Sequence, residues 1–559
     1  MSSAFRLLAE GAFDLSGYQH TGWVITGIVF FFFVRLAIGF WAASKVNNAS
    51  DYIVAGRGLP IYMTAASIMA TWFAAETLMG ASTKGYLYGM QGAILDPLGA
   101  VLCLLISGMF FIRLMRRARY LTVVDFFSKR YGKEVDLIAS ILQIVAYLVW
   151  TAAQFVAGAH VVHSLLGWPD WAGVLLVGVV VTGYTTMGGM LADTLLDFIQ
   201  MFFTAGGITA VFLYLLKEVG GWEGLMACTD TLYVKNEPFA ILPIQGYGYL
   251  GYQGLTGWLY WISAWITIGF GSIATQDLMQ RSMSARNEAT SVWGSYIAAL
   301  LYFVFGVMSP LIGIMIFKLD PPALNKDHLE GLLVVASQTY LPVWLNVLFM
   351  AALTSAMMST SDSAILAGAS VYTENILPFF SKQEVNEDQK LWWTRCMVVV
   401  IGTACIGIAC LIGDSYNLAM MAWSVLLVGM SVPFVCGMYW KSANRTGALA
   451  SIVGGIGTWI AGIFYYLGET KVANTTDGVI VWDDAIWDAV YIASPWAVLV
   501  SLVAMVAVTL ATRSWEPPLP LTDSEGNPLA LDNRLGLISP LAIFRHEPQM
   551  PPAVSDTPV

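Results

Sequence analysis

Charged side chains are scarce in this chain: Asp, Glu, Lys and Arg make up 11% of its 559 residues, against 57% hydrophobic. Soluble domains carry about 25% charge, so this composition has too few polar groups to cover a water-exposed globule and excludes a soluble protein. Histidine is rarer still, with five residues. No His-rich, Ser-His-Asp or metal-ligand arrangement stands out, which removes the usual enzyme constellations, and His160 and His163 read as satisfied or lipid-edge residues in an apolar run. The six cysteines lack CxxC spacing. Cys103, Cys396, Cys405, Cys410 and Cys436 fall in apolar runs and Cys228 lies alone in a loop, so neither a disulfide framework nor a zinc site is indicated. Basic residues are also in deficit: the net charge of −10 argues against a nucleic-acid partner.

What is abundant is uninterrupted hydrophobicity. Apolar stretches of roughly 18 to 30 residues, each able to cross about 30 Å of hydrocarbon as a helix, recur about thirteen times. They lie near 22–44, 60–80, 91–112, 137–166, 171–188, 193–217, 257–278, 290–318, 343–371, 392–412, 417–440, 446–467 and 487–512. The fold class is therefore an all-α integral membrane protein, with the lipid bilayer as a partner; a plasma (inner) membrane is the expected location. The first stretch is long, has a nearly uncharged flank and shows no small-residue cleavage site, so a retained helix is expected rather than a cleaved signal.

Lys and Arg in the short loops fix the orientation. An extracellular amino terminus, 1–21, puts the cluster Arg113, Arg116, Arg117, Arg119, Lys129, Arg130 and Lys133 inside, together with Arg281, Arg286, Lys441 and Arg445. Residues 22–44 form a peripheral first helix, 60–440 a ten-helix core and 446–512 two peripheral helices. The Pro- and acid-rich segment 513–559 is expected to be a disordered cytoplasmic tail. It is too short for a fused signalling domain.

Ionisable residues at membrane depth are costly, so each is a functional candidate. Arg35, Glu76, Asp193, Asp197, Asp277 and Asp362 qualify. Asp193 reads as a helix-start partner, and Asp277, beside Gln280 and Arg281, as part of an interfacial salt bridge. The ninth span carries hydroxyls at Ser355, Ser359, Ser363 and Ser370, with Thr360 and Asp362 adjacent. Hydroxyls recurring about every turn form a stripe of hard oxygen ligands suited to a dehydrated sodium ion. Spans two to six and seven to eleven can be two five-helix halves inserted with opposite orientation, which places a substrate site near the midplane. Gly269–Ser272 is the expected break in span seven. Span two has Met69–Glu76 with neither Gly nor Pro.

Three segments carry a resemblance: Asp51-Tyr-Ile-Val-Ala-Gly-Arg57, Gly188-Gly-Met-Leu-Ala-Asp-Thr-Leu-Leu-Asp-Phe-Ile-Gln200 and Ala356-Met-Met-Ser-Thr360. With them the chain resembles the sodium:solute symporter family up to span twelve. The resemblance implies a LeuT-type fold of inverted repeats, sodium as the coupling ion with no other cofactor, no enzymatic activity, and solute uptake by alternating access. It implies a main sodium site from the carbonyls of Ala70, Phe73 and Ala356 and the hydroxyls of Ser359 and Thr360. A second site would use Asp197, Ser359, Asp362 and Ser363, although an acid at 362 and Leu196 before Asp197 depart from the common pattern.

Within the family the pattern is most similar to the high-affinity choline transporter branch, through Ala70-Thr-Trp72, Tyr120-Leu-Thr-Val-Val-Asp125, Gln280-Arg281 and Met358-Ser-Thr-Ser-Asp-Ser-Ala-Ile-Leu366. That branch holds its substrate in an aromatic cage. Trp72 and Trp150 match two cage positions. The third is Thr275, and the fourth falls near Ala419, one turn from Trp423. Glu76 replaces a glycine, and a carboxylate favours an ammonium that can donate hydrogen bonds. The expectation is a sodium-coupled symporter for a small organic cation or zwitterion, with Trp72, Glu76, Trp150, Thr275 and Trp423 at the substrate. The alternative is a solute-sensing membrane receptor of the same fold without net transport.

Overall fold

The structure, a computed structural model, describes residues 21–43, 49–321, 324, 329–381, 386–473, 475–476, 479–480 and 482–544. Among them the only strands are the antiparallel pair Thr475–Thr476 and Val479–Ile480; the remaining regular structure is helical. Nine helices among the described residues are long and apolar enough to cross a membrane, and Thr21–Val34 and Asp170–Thr186 are shorter apolar ones. The fifth and sixth expected spans both lie within the helical element Asp170–Glu218. The two expected spans missing from this tally are the second and seventh, and both are interrupted.

Span two is helical over Ile61–Trp72, leaves the helix at Phe73 (φ −82, ψ 65), and is helical again from Glu76 to Tyr88. No glycine or proline causes this break. Two other helices hold it open instead, Tyr302 Oη donating to the freed Trp72 carbonyl at 3.1 Å and Gln154 Oε1 accepting from the Ala75 N–H at 3.3 Å, while Thr77 Oγ1 of span two itself also donates to the Trp72 carbonyl at 3.1 Å. Backbone polar groups at membrane depth need such partners.

Span seven runs from Gly254 to Gly271, tightens to a 3-10 turn over Ser272–Ala274, is extended at Thr275, and resumes as Gln276–Ser284. The break thus falls just beyond the expected Gly269–Ser272. It sits where Gln143 can bridge it, donating to the Ala274 carbonyl at 2.5 Å and accepting from the Gln276 N–H at 3.3 Å. The glycines serve packing: a Cβ on Gly271 would lie 2.5 Å from the Trp423 carbonyl oxygen, so only glycine lets span seven approach span eleven this closely.

Buried side chains from all these helices merge into one large core. Outward-facing positions carry bare apolar groups such as Phe30, Phe33, Leu300 and Phe464, a surface suited to hydrocarbon and not to water.

The expectation of a disordered tail does not hold over 517–544. This segment lies across one end of the helices and is fastened mainly through its own main chain. Arg113 Nη1 donates to the Leu535 carbonyl at 2.9 Å, Arg117 Nη1 to those of Ala530 at 2.5 Å and Asp532 at 2.9 Å, and Trp293 Nε1 to that of Ile538 at 3.1 Å. The same two arginines pair with Glu288, which opens span eight. Tyr120 Oη donates to the Thr522 carbonyl; burial, with Asp125 and Asp523 nearby, pushes this hydroxyl's pKa up and keeps it a donor. Composition suggested disorder because a Pro-rich acidic segment cannot bury its own core, whereas here arginines and aromatics of the helices supply its partners. Residues 545–559 and 1–20 lie outside the described residues.

Candidate functional site

The break in span two frees carbonyls, and span nine, Val343–Val371, brings hydroxyls to them. Ala70, Phe73 and Ala356 line one void of about 10 Å3 together with Met69, Gln200, Met201 and Thr204, a space for roughly one water-sized particle. Three of the five expected main-site residues therefore share a cavity. Thr360 Oγ1 ties the same region together by donating to the Thr71 carbonyl at 2.8 Å, and Ser359 Oγ donates to Asp197 Oδ1. Among the described residues no group of three or more His, Cys, Asp or Glu is placed to hold a metal.

The expected second site is differently composed. Asp197, Ser359 and Ser363 do meet, but a guanidinium lies among them. Arg281 Nη2 donates to Asp193 Oδ2 at 2.6 Å and to Ser363 Oγ at 2.5 Å, and lies 3.7 Å from Asp197 Oδ2. Its Nε donates to Ser67 Oγ at 3.0 Å, and Ser67 in turn donates to Asp197 Oδ2 at 2.6 Å. A cation fixed in the protein thus occupies the place read as an ion site. Asp362 is buried on the same helix as Ser359 and Ser363. Asp193, read as a helix-start partner, is the principal partner of Arg281. The side chain of Arg35 lies outside the described residues.

Deeper toward the two breaks, three tryptophans meet. Trp423 lies 6.0 Å from Trp72 and 4.7 Å from Trp150 between ring centroids. Each outer tryptophan points its N–H at a buried carboxylate. Trp150 Nε1 donates to Glu76 Oε1 at 2.9 Å, and Gln154 Nε2 to Glu76 Oε2 at 2.7 Å. Trp72 Nε1 donates to Asp277 Oδ2 at 2.5 Å, and Tyr147 Oη to Asp277 Oδ1 at 2.7 Å. Asp277 is thus no interfacial salt bridge: its carboxylate is held by an indole and a phenol, while Arg281 Nη1 reaches only its main-chain carbonyl at 3.2 Å.

Thr275 is drawn aside, donating from Oγ1 to the Ser272 carbonyl at 2.9 Å, where it supports the break. Asp277, Tyr147, Gln154 and Arg281 are the site residues that sequence reading missed or misassigned. One signal was available for Asp277, which stands just inside the second half of a broken span, where helix ends gather at mid-membrane.

Interrupted spans at matching places in two five-helix halves, meeting around buried oxygens, acids and aromatic rings, define a secondary transporter of the LeuT-type fold. The chain belongs to the sodium:solute symporter family, which it matches over residues 52–455. It is a sodium-coupled symporter and a multi-pass membrane protein, not an enzyme.

Among its relatives, the high affinity choline transporter 1 of Homo sapiens is 24% identical over 460 residues, covering 79% of this chain and 77% of the relative. The sodium/proline symporter of Staphylococcus aureus is 26% identical over 458 residues, covering 78% and 85%. The substrate-bound, outward-open structure of a Na+-coupled sialic acid symporter superimposes with a TM-score of 0.69 at 18% identity, covering 87% of this chain and 97% of that one.

Proposed function

We propose that this symporter imports a small organic cation or zwitterion whose ammonium group carries N–H donors, driven by sodium entering through the main site. One observation carries the reading: Glu76 and Asp277 are both buried against a three-tryptophan cluster, and among the described residues neither carboxylate bonds a Lys or Arg side chain. Buried carboxylates to which no Lys or Arg side chain is bonded favour a cation from outside. Aromatic faces attract a desolvated ammonium through their quadrupoles, and the carboxylates accept its N–H groups. Similarity to choline transporters supports a cationic head, and Glu76 and Asp277 favour a protonated amine over a fully alkylated one.

In this reading Ala70, Phe73, Ala356, Ser359 and Thr360 coordinate the coupling sodium, and Arg281 serves where a second ion would otherwise bind. The transport core is 60–440, with 22–44 and 446–512 peripheral. The Lys and Arg distribution puts the amino terminus outside and the tail in the cytoplasm.

The test is the thermal stability of the purified protein against choline, betaine, carnitine, putrescine, proline and neutral sugars, each in sodium and in potassium. A protonated amine that stabilises only in sodium is the expected result, because a ligand shifts the melt only by binding the folded state and coupling makes the two ligands mutually dependent. Stabilisation by a sugar but by no amine would reject the cation reading.

A further inference from the structure

A cavity of about 310 Å3 lies where the tail crosses the end of span eleven, and its walls include Arg130, Lys441 and Arg534 but no carboxylate. We propose that it is a binding site for a phosphate-bearing anion, either the headgroup of an anionic phospholipid on the tail side of the membrane or a soluble phosphate. The volume is at the lower end of the range for small-molecule sites.

The three cations have different duties. Arg130 is buried, and its guanidinium donates to the carbonyls of Gly437 at 3.0 Å, Trp440 at 3.1 Å, Lys441 at 3.0 Å and Leu519. It caps the carboxyl end of helix Val432–Tyr439 and pins the tail, so its charge is a fixed part of the wall. Arg534 lies over the Tyr439 ring, 4.7 Å from the centroid. A guanidinium stacked in this way keeps in-plane N–H groups free for a planar or tetrahedral oxyanion. Lys441 is exposed, and among the described residues neither it nor Arg534 makes an ion pair.

A nearby acid, Glu516, is already engaged, accepting from Arg445 Nε at 2.7 Å and from Thr446 Oγ1. Nothing in the walls neutralises the cavity, and an external anion would. The site also lies at the level a headgroup would occupy: span eleven ends at Tyr439, Trp440 follows where membrane proteins place their interfacial aromatics, and Leu519 at the rim is half exposed.

The experiment uses the full chain, delipidated in neutral detergent at about 0.15 M salt, where charges more than about 8 Å apart are largely screened. Native mass spectrometry reads retention of phosphatidylglycerol against phosphatidylcholine, and a melting curve reads the effect of inorganic phosphate. The wild type is expected to prefer phosphatidylglycerol by about tenfold in apparent affinity, and Lys441→Gln with Arg534→Gln to abolish that preference. Arg534→Lys, which keeps the charge, is expected to retain most of it, and Lys441→Gln alone, at an exposed position, serves if the double variant does not fold.

Inorganic phosphate stabilising the wild type and not the variant, without lipid preference, would identify a soluble phosphate as the occupant and sustain the site. Equal phosphatidylglycerol retention by wild type and variant together with no phosphate stabilisation confined to the wild type would overturn it.

Discussion

Asp277 shows how one residue's chemistry depends on what its neighbours have already satisfied. Its two carboxylate oxygens accept from Trp72 and Tyr147, which orients both rings around it. Replacing it with Asn keeps the size and removes the charge. If that charge binds the substrate ammonium, Asp277→Asn raises the KM for uptake by about tenfold or more, in line with a hydrogen bond to a charged group. Were the carboxylate only a brace for Trp72, KM would stay near the parent value.

Trp72→Ala removes the ring itself and is expected to weaken substrate binding by about 1–2 kcal/mol, the size of a desolvated cation–π contact; titration of the purified protein with substrate measures it. Arg281 calls for a different variant. Arg281→Gln deletes the resident cation between Asp193 and Asp197 and leaves two buried carboxylates that sodium can serve. The dependence of uptake on sodium concentration should then steepen. An unchanged slope in a folded variant would show that the guanidinium does not stand in for an ion.

At the scale of the element, the proposed transport site lies where helices stop, and the two breaks differ in how far the sequence reveals them. Span seven announces its break within two residues, through Gly269, Gly271 and Ser272, although glycine turned out to serve packing against Trp423 and Gln143 holds the opened backbone. Span two carries no such mark because its break is kept open by Tyr302 and Gln154, far away in sequence. Local propensity could not show it.

The hydroxyl stripe of span nine was legible for the opposite reason: its period is that of the helix carrying it. Arg281 was not, since its partner Asp193 is 88 residues away and only tertiary contact joins them. Span nine as an element also fixes the sodium prediction. Ser359→Ala with Thr360→Ala removes both hydroxyls facing spans two and six while keeping a helix-favouring residue. The sodium-induced rise in melting temperature should disappear while the protein still elutes as a folded species; a preserved rise would move the ion elsewhere.

For the whole molecule, alternating access requires the helix ends on each side to separate and close in turn. The tail spans several of those ends at once. It is bonded to the end of span three through Arg113 and Arg117, to the start of span eight through Arg286 and Trp293, and to the end of span eleven through Arg130. Most of these bonds go to main-chain carbonyls of the tail, so they depend on its path more than on its side chains, and any motion that parts the three spans must either carry the tail along or peel it off. Among the described residues, no bond joins it to Ser359, Thr360 or the tryptophan cluster.

Ending the chain at Glu516 is therefore expected to leave the sodium response of the melt intact while hydrogen exchange over Arg286–Tyr296 accelerates by on the order of tenfold, as local opening becomes easier. Unchanged exchange would mean that the helix ends hold themselves together and the tail only rides on them. Loss of the sodium response would mean that the tail supports the core itself, and the separation between a transport unit and its fastening would have to be abandoned.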